Sequence, residues 1–563
     1  MNILTTLPTE LIFIIVSLLS ISSRFTLSYV LGIIPNNIKI NINNNININN
    51  LDDFYRARYR ESLILDIISN NYTDLFEWFT DNNCRFLAKD KRLYCKMAII
   101  NNNFRILKRI YLHNHSNICS HDSIILNEAI GNGQFDMAKW LYDNGCKFIG
   151  SESYEKASSI GRIDILEWLK TVTADTDDVC SWDLNSCYYA ASNGHLDTLK
   201  YLLENGCPRQ LHGADCVCVT AAHNGHLDIL QYLHEKDCSK QLHWNERTIE
   251  YAVDAPIEDI ALKIIQYLRN NGCPWNDRAC SKAAEVGRFQ ILKYLRSDRD
   301  KCPWNESACS RAAENGHFEI LKYLREHNCP WNEFTCIAAA KTGRLKILQW
   351  LRSGDENGNN VCPWNDCACE YAAKNGHFEV LKWLHENGCP WVSYSTHVAA
   401  RQGHLLILKY LHDNGCPWDE WTSIEAIKNG ELEILEYLYE NGCPIDEKAF
   451  TYAAQNGHLS ILKWLADRMP IINNNEWAKD WITPYAAENG HYEVLKWLKS
   501  SNKIRCEWNT TTCAYAAKRG HFEILKWLRK NECPWDSSTH YYTKQNGHIE
   551  ILRYATENGC PSE

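Results

Sequence analysis

The segment Cys329-Pro-Trp-Asn-Glu-Phe-Thr-Cys336, continued by Ile-Ala-Ala-Ala-Lys-Thr-Gly343, returns in varied form along most of the chain. Its turn glycines fall at Gly376, Gly403, Gly430 and Gly457, a constant step of 27 residues. A fixed period of this length marks one supersecondary repeat, too small to bury its own apolar face and completed by its neighbours. Such a chain folds as a stack rather than around one core. Its 563 residues therefore say little about domain number, because a stack grows without dividing.

Each repeat reads as helix, turn, helix, loop. In Trp364-Asn-Asp-Cys-Ala-Cys369-Glu-Tyr-Ala-Ala-Lys-Asn-Gly376-His, Asn365 or Asp366 is the expected N-cap, and Cys369, Ala372 and Ala373 form a narrow buried stripe at i, i+3, i+4. Gly376 supplies a positive φ and His377 opens the second helix. That helix is expected to bury Val380, Leu381, Trp383 and Leu384, to present Glu379 and Lys382 to water, and to stop at Gly388. Pro390 and Trp391 then turn the chain and fill the gap under the following repeat. Two steps of 33, Gly343 to Gly376 and Gly457 to Gly490, place insertions in the loop that precedes Pro-Trp or its equivalent. The first copies are worn, and Asn71 to Cys84 reads as a second helix without its turn glycine. Counting remnants gives about seventeen repeats, the first and last acting as caps.

The 26 cysteines suggest disulfides until their positions are compared. Cys273 and Cys280, Cys302 and Cys309, Cys329 and Cys336, and Cys506 and Cys513 stand seven apart, one before Pro-Trp and one on the apolar face of a first helix. There cysteine serves as a small buried hydrophobe. Zinc needs tight Cys-x-x-Cys or His-x-x-x-His spacing, and Cys216/Cys218 and Cys367/Cys369 are too close, so no metal and no cofactor is expected. Leu11 to Ile21 is about half a membrane span and lacks a basic flank, which points to a cytoplasmic or host-cell intracellular chain with reduced thiols. A net charge of -10 argues against a nucleic-acid partner.

The combination of Ala-Ala, Asn-Gly-His, a Leu-Glu-Ile-Leu type helix and a closing Asn-Gly-Cys resembles the ankyrin repeat. Ala312-Ala-Glu-Asn-Gly-His317, Ala453-Ala-Gln-Asn-Gly-His458 and Ala516-Ala-Lys-Arg-Gly-His521 carry the likeness, which extends from residue 51 to 563. It implies an all-α, ankyrin-like solenoid. Thr-Pro-Leu-His is replaced by Thr-Cys-x-x, and the repeat is about 27 residues rather than 33, so Cys-Pro-Trp-Asn is expected to replace the β-finger. Shortened, Trp-rich arrays of this kind resemble those of large DNA viruses and amoebal proteins.

Ahead of the array lie an apolar helical segment, 1–34, and an Asn/Ile tract, 35–50, expected to be a tether without a chemical role. Leu7-Pro-Thr-Glu-Leu11, with Ile15, Val16, Leu18 and Leu19 behind it, resembles the opening of an F-box, though the later Cys and Trp positions of that motif are missing. The resemblance implies that Leu7, Pro8, Leu11 and Ile15 contact the adaptor of a cullin-type ubiquitin ligase. The alternative is an apolar cap on the first repeat.

No phosphate loop, Gly-x-Ser-x-Gly elbow or His-Glu-x-x-His helix is present, so the chain is not expected to be an enzyme. His317, His377, His404, His458, His491 and His521 each hold the same repeat position and read as turn elements. Binding belongs where the repeat is unconstrained. Phe334, Cys367, Tyr394 and Trp421 occupy one first-helix position, about 160° from the buried residue two places on, and face outward. Seven residues later on the same face stand Lys341, Lys374, Arg401 and Lys428. Aromatic and cationic anchors are what interfaces use. Phe334, Tyr394, Trp421, Lys341, Lys374, Arg401 and Lys428 are therefore the expected site for a protein partner on a monomeric scaffold; ordinary variable surface is the competing account. Nucleic-acid binding through the four cations is disfavoured by the overall acidity.

Overall fold

The computed structural model describes residues 64–77 (66 and 75 excepted), 91–112, 123–148, 151–173, 182–207, 217–236, 244–297, 300–354, 361–469, 476–504 and 508–562. Among them every regular element is helical and there is no strand. The helices pair off from Lys91–Ile100 with Phe104–Leu112 to Ser537–Gln545 with Ile549–Glu557, sixteen pairs among the described residues, and 64–77 holds the remnant of one more. The chain divides into two compact halves, one ending at Pro274 and the other beginning at Trp275. The segments 1–34 and 35–50, with Leu7, Pro8, Leu11 and Ile15, lie outside the described residues, as do most of the insertion at 355–360 and that at 470–475.

The repeat at Asp366–Lys374 and Phe378–Glu386 shows how the sequence sets the form. The Asn365 side chain accepts the Cys367 amide at 3.2 Å, satisfying one of the unpaired N–H groups of the first turn. Asn276, Asn305, Asn332 and Asp419 cap their helices in the same way. Ala368, Cys369, Ala372 and Ala373 are fully buried, and this small-residue face is what lets first helices pack directly on one another within each half. At the other end the His377 amide donates to the Ala372 carbonyl at 3.0 Å and the Gly376 amide to Ala373 at 3.4 Å, closing the helix around a glycine at φ 78°.

The second helix buries Val380, Leu381 and Leu384. Trp383 departs from the expected pattern: it is only half-buried and meets Trp364 edge to face at 5.9 Å, because the indole is too large for the space between stacked repeats and lies along their rim. Trp391 likewise serves two repeats, stacked on His385 behind it at 3.7 Å and edge-on to Tyr410 ahead of it at 6.3 Å.

The turn histidines do more than end a helix. His404 Nε2 lies 3.3 Å from the Lys374 carbonyl, His458 Nε2 3.0 Å from that of Lys428, and His521 Nε2 2.9 Å from that of Glu488. Each ring thus ties its own turn to a free carbonyl at the end of the preceding first helix. The worn amino-terminal copies use asparagine in the glycine place and, in the second of them, in the histidine place too. Asn71 and Asn102 adopt φ 58° and 52° where later repeats carry glycine, and Asn103, in the histidine place, donates to Asn71 Oδ1 at 3.2 Å. Asparagine is the side chain that tolerates this conformation best.

The cysteines are buried at both repeat positions. Those seven apart in sequence are not the ones hydrogen-bonded to each other. Cys336 Sγ instead approaches the Cys362 carbonyl at 3.8 Å, and Cys513 Sγ that of Cys533 at 3.9 Å, each first-helix thiol meeting the loop that closes its own repeat.

Candidate interaction surface

The buried stripe of a first helix leaves the positions i and i+7 pointing away from it, with i+4 between them buried at Ala338 and Val398 and half-buried at Tyr371 and Glu425. In Glu333–Lys341, Asp366–Lys374, Ser393–Arg401 and Glu420–Asn429 the first of these is Phe334, Cys367, Tyr394 or Trp421. Phe334 is 59% exposed, Tyr394 48% and Trp421 49%, so three large rings stand in water where no packing requires them. Cys367 is half-buried and interrupts the row. No ring contact joins the three aromatics among the described residues.

The cations at the third position are unequal. Lys341 Nζ sits 2.8 Å from Glu314 Oε1, which holds its ammonium pKa above the ordinary value. Glu425 is shared: Arg401 Nε lies 3.7 Å from Oε2 and Lys428 Nζ 3.5 Å from Oε1. Lys428 also lies over Trp421 at 5.6 Å and over Tyr452 of the next repeat at 4.6 Å. Lys374 rests over Tyr371 at 5.7 Å and forms no close ion pair among the described residues, though its charge acts on Glu370 one turn back, opposing the burial that pushes the Glu370 pKa up. The structure therefore gathers Arg401, Trp421, Glu425, Lys428 and Tyr452 into one cluster, leaves Lys374 without a close ion pair, and keeps Phe334 apart.

The middle position carries an aromatic series that the sequence reading passed over. Tyr371, Tyr452, Tyr485, Tyr515 and Tyr542 stand there, and four of them precede Ala-Ala, a Tyr-Ala-Ala signal visible in the sequence. Toward the carboxy terminus Tyr485, Tyr515 and Tyr542 follow one another at 6.3 Å, with Trp481 stacked on Tyr485 at 5.5 Å. Lys518 covers Tyr515 at 5.0 Å while bound to Glu488 at 2.9 Å, and burial pushes the Tyr515 hydroxyl pKa up. Among the described residues no group of three or more His, Cys, Asp or Glu side chains is placed to hold a metal, and no helix is long and apolar enough to cross a membrane.

Paired helices, a small-residue seam and an outward face that varies from repeat to repeat define a helical repeat protein of the interaction type. A family model described as ankyrin repeats, three copies, matches residues 155–243, 311–395, 396–476 and 423–506, and one described as ankyrin repeats, many copies, matches 484–529. These cover more than half of the chain, which belongs to the ankyrin-repeat family. Ankyrin repeats indicate a protein-protein interaction scaffold, and the surface from Phe334 to Lys428 falls inside the matched residues. A search of curated proteins gives no match.

Proposed function

We propose that the chain is a non-enzymatic scaffold that holds a protein partner on the outward face of its first helices between Phe334 and Lys428. The observation that carries this is the exposure of Phe334, Tyr394 and Trp421 beside cations that nearby carboxylates only partly offset, Arg401 and Lys428 sharing the one Glu425. Exposed rings on a frame already closed by its buried residues contribute to association rather than folding. The partner offers apolar groups and carboxylates; nucleic acid is disfavoured by the net charge of -10. The scaffold acts as a monomer in the cytoplasm or inside a host cell, and its shortened Trp-rich repeat supports grouping it with arrays of large DNA viruses and amoebal proteins. The test is capture of a partner by the full chain, compared with Phe334, Tyr394 and Trp421 all changed to Ala. Equal capture by both would show this face to be ordinary surface.

A second role rests on the sequence Leu7-Pro-Thr-Glu-Leu11 and Ile15. In this reading Leu7, Pro8, Leu11 and Ile15 dock the adaptor of a cullin-type ligase, and the array selects what is ubiquitinated. Leu11→Asp with Ile15→Asp is then expected to abolish adaptor binding while helicity is retained. Adaptor binding that is absent from the unaltered chain, or survives the double change, leaves only the capping role.

A further inference from the structure

One thiol pair differs from its counterparts along the array. In the repeat Leu184–Ser192 and Leu196–Glu204, the Cys187 thiol donates to the sulfur of Cys207 at 3.1 Å, and Cys207 Sγ lies 3.2 Å from the Asp183 carbonyl. In three equivalent repeats the first-helix thiol also reaches the backbone of the loop cysteine. Cys280 lies 3.9 Å from the Cys302 carbonyl, Cys336 3.8 Å from that of Cys362, and Cys513 3.9 Å from that of Cys533.

The cause is visible one layer out. In those three repeats an arginine, Arg296, Arg352 or Arg529, donates to the same cysteine carbonyl and lies over the following tryptophan, Trp304, Trp364 or Trp535, at 3.8, 3.8 and 4.1 Å. That clamp fixes the loop and covers its thiol, and Cys302, Cys362 and Cys533 are fully buried. In the repeat of Cys207, Leu203 stands in place of the arginine and Arg209 in place of the tryptophan. Cys207 keeps 4% of its surface in contact with solvent, as does Cys389, whose repeat carries His385 in the arginine place.

We propose that Cys187 and Cys207 are an oxidation site, converted by a peroxide into a disulfide that staples the first helix of their repeat to the segment after its second helix. The Cys207 thiolate attacks one peroxide oxygen, the O–O bond breaks, and sulfenic acid forms at Cys207 while the departing hydroxide takes a proton to become water. The Cys187 sulfur then attacks the Cys207 sulfur, the S–O bond breaks, and the oxygen leaves as a second water carrying the Cys187 proton. Two thiols lose two electrons and one peroxide becomes two waters. The order of events follows from the hydrogen bond. Cys187 donates to Cys207, which lowers the Cys207 pKa and favours Cys207 as the first nucleophile of the pair.

The full chain, fully reduced, would be titrated with hydrogen peroxide, its remaining thiols alkylated, and its peptides mapped by mass spectrometry. The Cys187–Cys207 linked peptide is expected at roughly one tenth of the dose that links Cys280 with Cys302 or Cys513 with Cys533. Failure to link, or linkage of all pairs at one dose, overturns the proposal without reliance on any variant. Cys187→Ser is expected to leave a Cys207 sulfenic acid that dimedone traps, and Cys207→Ser to leave Cys187 reduced at the same dose. Oxidation of Cys187 in the latter would show that Cys207 does not initiate the reaction.

Discussion

The first helices Asp277–Val286 and Glu306–Asn315 and those from Glu333–Lys341 to Glu420–Asn429 share a backbone and a buried stripe, and all but Ser393–Arg401 a side-chain N-cap, yet their outward faces differ in character. In the earlier pair the outward face is polar and its charges meet each other: Glu285 takes Lys282 at 3.3 Å and also Arg311. In the later stretch the same positions carry Phe334, Tyr394 and Trp421, and Glu425 alone lies near both Arg401 and Lys428, at longer range. One face satisfies itself; the other keeps unused apolar surface and spare charge. The contrast separates what the repeat needs to fold from what it displays.

The largest expected effect falls on the displayed face. Phe334→Ala, Tyr394→Ala and Trp421→Ala are each expected to weaken partner binding by on the order of 1 to 2 kcal/mol, with little change in unfolding temperature. Arg311→Ala should leave affinity unaltered. A partner titrated against all four variants distinguishes the two stretches, and an Arg311 effect equal to the others would erase the contrast.

The shared frame is expected to respond alike in both stretches. Gly287 and Gly376 sit at φ 77° and 78°, and a Cβ added there would lie 2.6 Å from His317 or 3.0 Å from His404. Gly388, at φ 81°, has nothing within 4 Å of that point. Gly388→Ala should therefore cost only the conformational term, about 1 to 2 kcal/mol. Gly287→Ala and Gly376→Ala should each cost more than Gly388→Ala and by similar amounts, because the ring must also give way and its bond to the preceding helix weakens. Urea unfolding of the three variants measures the difference.

That frame was legible in the sequence because it rests on residue types with one physical reason to be where they are. Glycine at a positive φ, alanine at a close seam and asparagine at a cap each announce the constraint they meet, and the 27-residue step registers them. The rim and the display were less legible. Trp383 belongs to the apolar pattern of its helix, but a pattern carries no information on the room beyond it. The tyrosines of the middle position were visible as residues, yet their ring contacts at 6.3 Å depend on the distance between neighbouring first helices. The alternation of Cys207 and its clamped counterparts depends on which atom a thiol meets, which spacing does not fix.

Charge offers a smaller lever. Lys374→Glu with Arg401→Glu should slow association with an acidic partner and flatten its salt dependence, leaving the dissociation rate less affected, because exposed cations act mainly on encounter. Stopped-flow association at two ionic strengths reads this directly. The same reversal at Lys282 and Arg311, whose face is balanced by Glu285, should change the association rate far less.

The smallest expected effect lies at the boundary between the two stretches, where Glu314 of the polar face holds Lys341 of the aromatic one at 2.8 Å. Both side chains are more than a third exposed, so their pair contributes a few tenths of a kcal/mol to stability, about what screened surface pairs give. Lys341 is thereby neutralised toward a partner, and Lys341→Ala should weaken binding less than Lys374→Ala. Glu314→Gln removes the restraint without opening a cavity, and is expected to return the Lys341 charge to the face and tighten binding of an acidic partner slightly, by less than about 1 kcal/mol. Weaker binding after Glu314→Gln would mean that the carboxylate itself meets the partner, and the polar stretch would then have to be counted as part of the site.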